Sequence, residues 1–240
     1  LYDATLPWTY KDPDAVLALL KQGRALAEKR GEKWWVAFFD HWLIQTLLYR
    51  KHDYPAALDL AIKTVVEVRK VDYAQLPQRI CIHAELVDVF IELDPHGYTE
   101  AIEQAVDYIQ SQTTSNLECW YCILRLKADF AYSVERYTNA ESASAHYMAQ
   151  IDASGSAHYR AGARHIPCEM AFRRAAWEDL LVLACDAQQI AFGKLKDSFG
   201  IIGFSMWEAL ALRHLGREDE AKRIYQNAMV RASRLKSLPG

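Results

Sequence analysis

The chain has no apolar run long enough to span a bilayer, because charged residues interrupt every long apolar stretch. It has no excess of either charge. Its 28 basic and 31 acidic residues leave a formal −3, so no global field draws it to nucleic acid or to an anionic membrane, and direct binding to either is not expected. Its cysteines are few and odd in number, five, and lie scattered on helical patterns, which predicts reduced thiols and a cytoplasmic setting. Leu1-Tyr2-Asp3 offers neither Met nor the basic start and apolar block of a signal peptide, so a fragment or a processed form is expected. No strand series, low-complexity tract or long linker breaks the chain. No Ser-His-Asp order, glycine-rich phosphate loop or H-E-x-x-H is present. A non-catalytic protein without metal or cofactor is therefore expected.

Apolar residues at 51% are enough for a substantial core and too many for disorder. They recur at three/four spacing, which predicts an all-α fold. Asp12-Pro13 reads as a capped start for a helix ending near Gly31, with Val16, Leu19, Leu20 and Leu26 inward. Residues 33–52 follow, apolar around most of the circumference and hence expected between neighbours. Asp53 then caps a helix with the stripe Tyr54, Ala57, Leu58, Ala61, Val65, Val68. Further pairs are expected at 77–93 with 98–112, 117–135 with 138–151, 157–175 with 177–195, and 201–214 with 218–235. Asp94-Pro95-His96-Gly97 marks a turn, residues 152–156 a loop, and Pro167 a kink or late start.

A helix start recurs at Tyr54, Tyr98, Tyr137, Trp177 and Glu218, at intervals of 44, 39, 40 and 41 residues. Such a period, with two helices in each, is the mark of a helical solenoid. The third position after the anchor is Ala57, Ala101, Ala140 or Ala221, and the seventh is Ala61, Ala105, Ser144, Ala184 or Tyr225. Small residues there let helix backbones approach closely. The last unit reads Ala209-Leu210-Ala211-Leu212, Leu215-Gly216-Arg217, Glu220-Ala221, Tyr225, Ala228. The pattern over residues 32–236 resembles the tetratricopeptide (TPR) repeat, with lengthened periods and without the helix-ending proline. The resemblance implies about five antiparallel pairs stacked as a TPR-like solenoid, with residues 1–31 as an N-terminal segment and capping helix of the same domain. It also implies a concave groove, lined by the first helix of each pair, that receives a peptide or partner protein. The Lys and Asn set of the TPR carboxylate clamp is not found.

Candidate groove residues are the polar ones that interrupt the first helices: Asp40, His41 and Gln45; Gln78, Arg79 and His83; Tyr121 and Arg125. Each alone reads as a satisfied core or surface group, and the expectation is for the collective stripe. A basic group follows in His158, Arg160, Arg164, His165, Arg173 and Arg174. Arg160 and Arg164 share a helix face and could hold a carboxylate or phosphate, which points to an acidic partner; the plainer reading is a solvated face with ion pairs. On the groove reading, Arg164→Glu removes partner capture and leaves helicity intact. His83-Ala84-Glu85 with Cys119 and Cys122 resembles the zinc deaminase pattern, but Glu118 stands where that pattern has Pro, and a helix is expected where that fold needs strands. The plainer reading is two small residues packed in a helix. Competing functions are thus a peptide- or protein-binding scaffold, an effector-sensing regulatory part of a larger protein, and a zinc hydrolase. The 218–235 helix turns Lys222, Arg223 and Gln226 outward as a cap, and self-association end to end follows if a cap fails.

Overall fold

The computed structural model describes residues 12–70, 73, 76–113, 119–154, 157–191 and 198–237, and within the helices the side chains at 119, 154, 157–158, 198–199 and 235–237 lie outside the description. Among the described residues every regular element is helical. The helices are α1 (Pro13–Lys29), α2 (Lys33–Gln45, continued by a π-turn Thr46–Lys51), α3 (Tyr54–Val68), α4 (Gln78–Leu93), α5 (Thr99–Ser111), α6 (Cys119–Ser133), α7 (Tyr137–Ser154), α8 (Ala157–Gly162), α9 (His165–Arg173), α10 (Trp177–Ile190), α11 (Ser198–His214) and α12 (Glu218–Ser237). The chain divides into two compact units, Leu1–Leu126 and Lys127–Pro239. In the first, α1 to α5 pack in succession and α2 also packs on α4; in the second, α9 to α12 pack in succession, with α7 on α9 and α8 on α10.

Two helix starts follow from side-chain caps. Asp12 accepts the Asp14 N–H at 3.0 Å, and Asp53 accepts that of Ala56 at 3.2 Å, each with Pro in the first turn. The stops share one geometry. Two residues before the anchors Tyr54, Tyr137, Trp177 and Glu218, the backbone enters the left-handed region at His52, Glu135, Ala175 and Gly216. At three of these sites the following N–H closes on the carbonyl five residues earlier: Arg136 on Ala131, Ala176 on Ala171, and Arg217 on Leu212, each at 2.9 Å. This is the Schellman closure, and it sends the chain straight into the second helix of a pair. Gly31 closes α1 in the same way, with Glu32 bonded to Ala27.

Only one of the four anchor turns has glycine at the left-handed position, so the others carry a steric cost that glycine lacks. Ala175 is exposed, with φ +54°. Ala175→Gly is expected to stabilise the protein by about 1 kcal/mol, read as a higher urea midpoint at unchanged slope. A midpoint at or below that of the parent would contradict the geometry.

Behind three of the anchors, Tyr54, Tyr137 and Trp177, a buried stripe recurs at offsets of three, seven, ten and fourteen. Ala57, Ala61, Thr64 and Val68 form it in α3, Ala140, Ser144, Tyr147 and Ile151 in α7, and Leu180, Ala184, Ala187 and Ala191 at α10. The second repeat departs from the expected register. Ala105 is buried as expected, but Ala101 is only half-buried, and the stripe Ile102, Val106 and Ile109 counts from Thr99. The cause is the turn. Asp94 accepts the Gly97 N–H at 2.9 Å, Tyr98 becomes the residue before the helix, and its ring stacks on Phe90 at 4.4 Å.

Three other expectations need correction. Asp152 and Ala153, expected in a loop, extend α7, while Gly155 and Ser156 lie outside the described residues. Trp34 and Trp35, expected between neighbours, keep more than a third of their surface exposed at the start of α2. Tyr225, expected inward, is exposed along with Met229 and Val230. The expected kink at Pro167 is present as a break. Pro167 has no N–H to offer the Ala163 carbonyl, and the first helix of that pair is split into α8 and α9 at Ala163-Arg164.

Candidate functional site

In the first unit, α2, α4 and α6 bring polar side chains together. His41, Gln45 and Tyr49 lie four residues apart along α2 and its π-turn. A continued α-helix would drift off this line, but a π-turn advances less per residue and brings Tyr49 back onto it. Thr46, fully buried, donates its hydroxyl to the Trp42 carbonyl at 2.7 Å where the helix changes pitch. From α4, Glu85 accepts the Gln45 amide N–H at 2.9 Å through Oε1. His41 Nδ1 lies 3.3 Å from the same oxygen, within ion-pair reach but without hydrogen-bond alignment. Asp88, one turn on, receives Arg125 of α6 through two bonds of 3.1 and 2.7 Å. Tyr49 is 42% exposed, yet burial of its hydroxyl end, reinforced by Asp88, raises its pKa well above the ordinary phenol value. Tyr121 sits one turn before Arg125 on α6 and is half-buried.

Asp40, Arg79 and His83 are not in this row. Asp40 is buried and accepts Arg24 of α1 at 2.6 Å. Burial raises its pKa, against the pull of Arg24. His83 is fully buried on another face of α4, where its Nδ1–H donates to the Arg79 carbonyl at 2.7 Å and its Nε2 accepts from Arg69 Nε at 3.3 Å. Its ring lies 4.6 Å from that of Tyr108, over which Arg69 also sits. Both imidazole nitrogens are thus occupied, and Glu85, two residues on, joins a different group. Among the described residues no three His, Cys, Asp or Glu side chains come together as a metal site, and the Cys119 side chain lies outside the description.

In the second unit Arg164 is 5% exposed. It donates to both Asp152 oxygens at 2.7 and 3.0 Å, to Asp186 at 2.8 Å and to the Arg160 carbonyl at 3.0 Å. Burial disfavours its charge, but the bonds to Asp152 and Asp186 outweigh that and raise its pKa, while Arg164 holds Asp152 below the ordinary carboxylate range. Arg160 adds a bond to Asp152 at 3.3 Å. The two arginines are braces between helices, and four of the five N–H groups of Arg164 are already committed. Arg173 and Arg174 pair with Tyr137 and Glu141. His158 lies outside the described side chains. Burial pushes the Cys168 thiol up to about 12, far from a reactive thiolate. A groove of about 570 Å³ runs between α11 and α12, lined by Met206, Leu210, Arg213, Lys222 and Tyr225, on the face expected to cap the array.

Sequence reasoning missed Tyr49, Asp88 and the hydrogen bond of Glu85 with Gln45. Tyr49 and Asp88 repeat at one helical turn from Gln45 and Glu85, which was the available signal.

No protein-family model matches the chain, and no curated protein matches it in sequence. Solved structures do. BtubC (BKLC) from P. vanneervenii superposes with a TM-score of 0.67 at 9% identity, covering 96% of this chain and 95% of that one. A single-substitution form of a putative kinesin light chain with nearly identical TPR-like repeats from Podosopora anserina gives 0.59 at 15% identity, covering 83% and 95%. A further structure of those repeats gives 0.57 at 14% identity, covering 83% and 96%. No described helix is long and apolar enough to cross a membrane. With its paired helices, shared turn geometry and recurrent buried stripe, the chain has the fold of a TPR-like helical repeat protein.

Proposed function

We propose that this protein is a non-catalytic interaction module that holds a peptide or a segment of a partner protein along the row formed by His41, Gln45 and Tyr49, Glu85 and Asp88, and Tyr121 and Arg125. One observation carries the reading. Three successive first helices contribute to a single hydrogen-bonded polar row, with the Tyr49 ring open beside it. A polar row on a stacked-helix scaffold offers directional bonds that a packed apolar face does not, and partly exposed tyrosines are good contact residues. Such arrays act through extended surfaces, and the repeat scaffold holds the row rigid.

The test is site-specific crosslinking. A photoreactive aromatic residue replaces Tyr49, Tyr121 or, as control, Tyr225, and the purified protein is exposed to a displayed library of random peptides. Selected peptides are expected to label positions 49 and 121 and to spare 225. Labelling confined to 225, or no selected peptide at all, would refute the assignment.

A further inference from the structure

We infer that the row in the first unit takes a cationic side chain, a lysine ammonium or an arginine guanidinium of a bound peptide, at Glu85. This deepens the interaction reading above and rests on it. Glu85 is 4% exposed, and its Oε2 has no hydrogen-bond partner. A carboxylate offers about four acceptor positions over its two oxygens. At Glu85 the Gln45 amide and the approach of His41 both fall on Oε1. At Asp88, by contrast, Arg125 engages both oxygens. Arg125 thus engages both oxygens of one carboxylate of the row, while the other keeps one oxygen without a donor. A buried carboxylate oxygen left without a donor is costly, and a charged donor is the partner that offsets it best.

The surroundings favour a cation over other donors. Glu85 and Asp88 stand one turn apart on α4, so a group entering the row meets two carboxylates, of which Asp88 is bonded to Arg125. An acidic ligand group would meet both carboxylates and be repelled. The Tyr49 ring, open to solvent next to Asp88, offers an aromatic face to an arriving cation. The acidic partner expected from the arginine-rich segment 158–174 has less to meet, since Arg164 and Arg160 are bonded to Asp152 and Asp186.

The experiment uses the full chain and fluorescent peptide pools, randomised except for one central residue fixed as Arg, Lys, citrulline or Glu. Citrulline keeps the shape of arginine and removes its charge. Binding is read by anisotropy. The Arg and Lys pools are expected to bind about tenfold or more tighter than the citrulline and Glu pools, the ratio that one charge-assisted bond supplies. Glu85→Gln keeps the volume and the bond from Gln45, and is expected to abolish that preference while helicity and the urea midpoint stay near the parent values. Because citrulline tests the same charge from the ligand side, the result does not hang on the variant's folding. If all pools bind alike, if the Glu pool binds best, or if Glu85→Gln keeps the preference, the cation assignment is wrong and the interaction reading stands. If no pool binds, both fall.

Discussion

Arg164→Glu is expected to unfold the Lys127–Pro239 unit rather than to disarm a binding surface. Arg164 is buried and braces α7 to α10 through Asp152 and Asp186. Glutamate at that position sets a third carboxylate against two others, where the residue itself is only 5% exposed. Inverting a buried charge in this way costs about 4 kcal/mol or more, a large part of an ordinary domain's stability. Arg164→Met separates charge from packing. It keeps most of the stem, and Asp152 and Asp186, both partly exposed, recover water, so its expected cost is smaller, about 2 kcal/mol. Hydrogen exchange resolves the effect by region: amides around Ile151, Ile166 and Leu180 lose protection in the glutamate variant and only partly in the methionine one. If the glutamate variant keeps parental protection there, Arg164 is not a brace, and its place among the ligand-binding candidates reopens.

This outcome shows where a linear reading stops. The stripe Ala57, Ala61 and Ala140 was legible because its spacing is that of a helix face, and its recurrence announced the stacked pairs. The register of the second repeat was not, because Tyr98 resembles the other anchors while the Asp94–Gly97 turn moves the helix start to Thr99. Arg160 and Arg164 share a helical interval, which says that they are neighbours and not what they face. That depends on Asp152 and Asp186, placed by two other helices. His83 and Glu85 formed one motif in the linear chain, but residues two apart on a helix point to opposite sides, and the structure gives them to different groups. The π-turn at Thr46–Lys51 leaves no periodic trace, yet it keeps Tyr49 in line with His41 and Gln45.

Mild acid is expected to destabilise the Leu1–Leu126 unit through His83. The side chain is buried and neutral, its Nδ1–H donating to Arg79 and its Nε2 accepting from Arg69. Burial lowers its pKa, and the nearby charges of Arg69 and Arg79 lower it further, against the bond to the Arg79 carbonyl. A proton on Nε2 would point an N–H at the N–H of Arg69 and add a positive charge beside Arg69 and Arg79 at a position that is itself fully buried. The unfolded chain binds that proton below about pH 6.5, the ordinary histidine value, while the folded chain resists it. The contribution is therefore complete above that pH and is lost as pH falls towards the lowered folded value. The urea midpoint should drop between pH 7 and pH 5, followed by exchange at amides of α4 and α5. His83→Gln, which can still accept from Arg69 and donate to the carbonyl, should flatten this dependence at modest cost. His83→Ala should cost about 3 kcal/mol at pH 7, chiefly through the cavity, and less as pH falls. A slope that persists unchanged in the glutamine variant would mean that another group titrates, and that the Arg69–His83 bond does not help to fix α4 against α3.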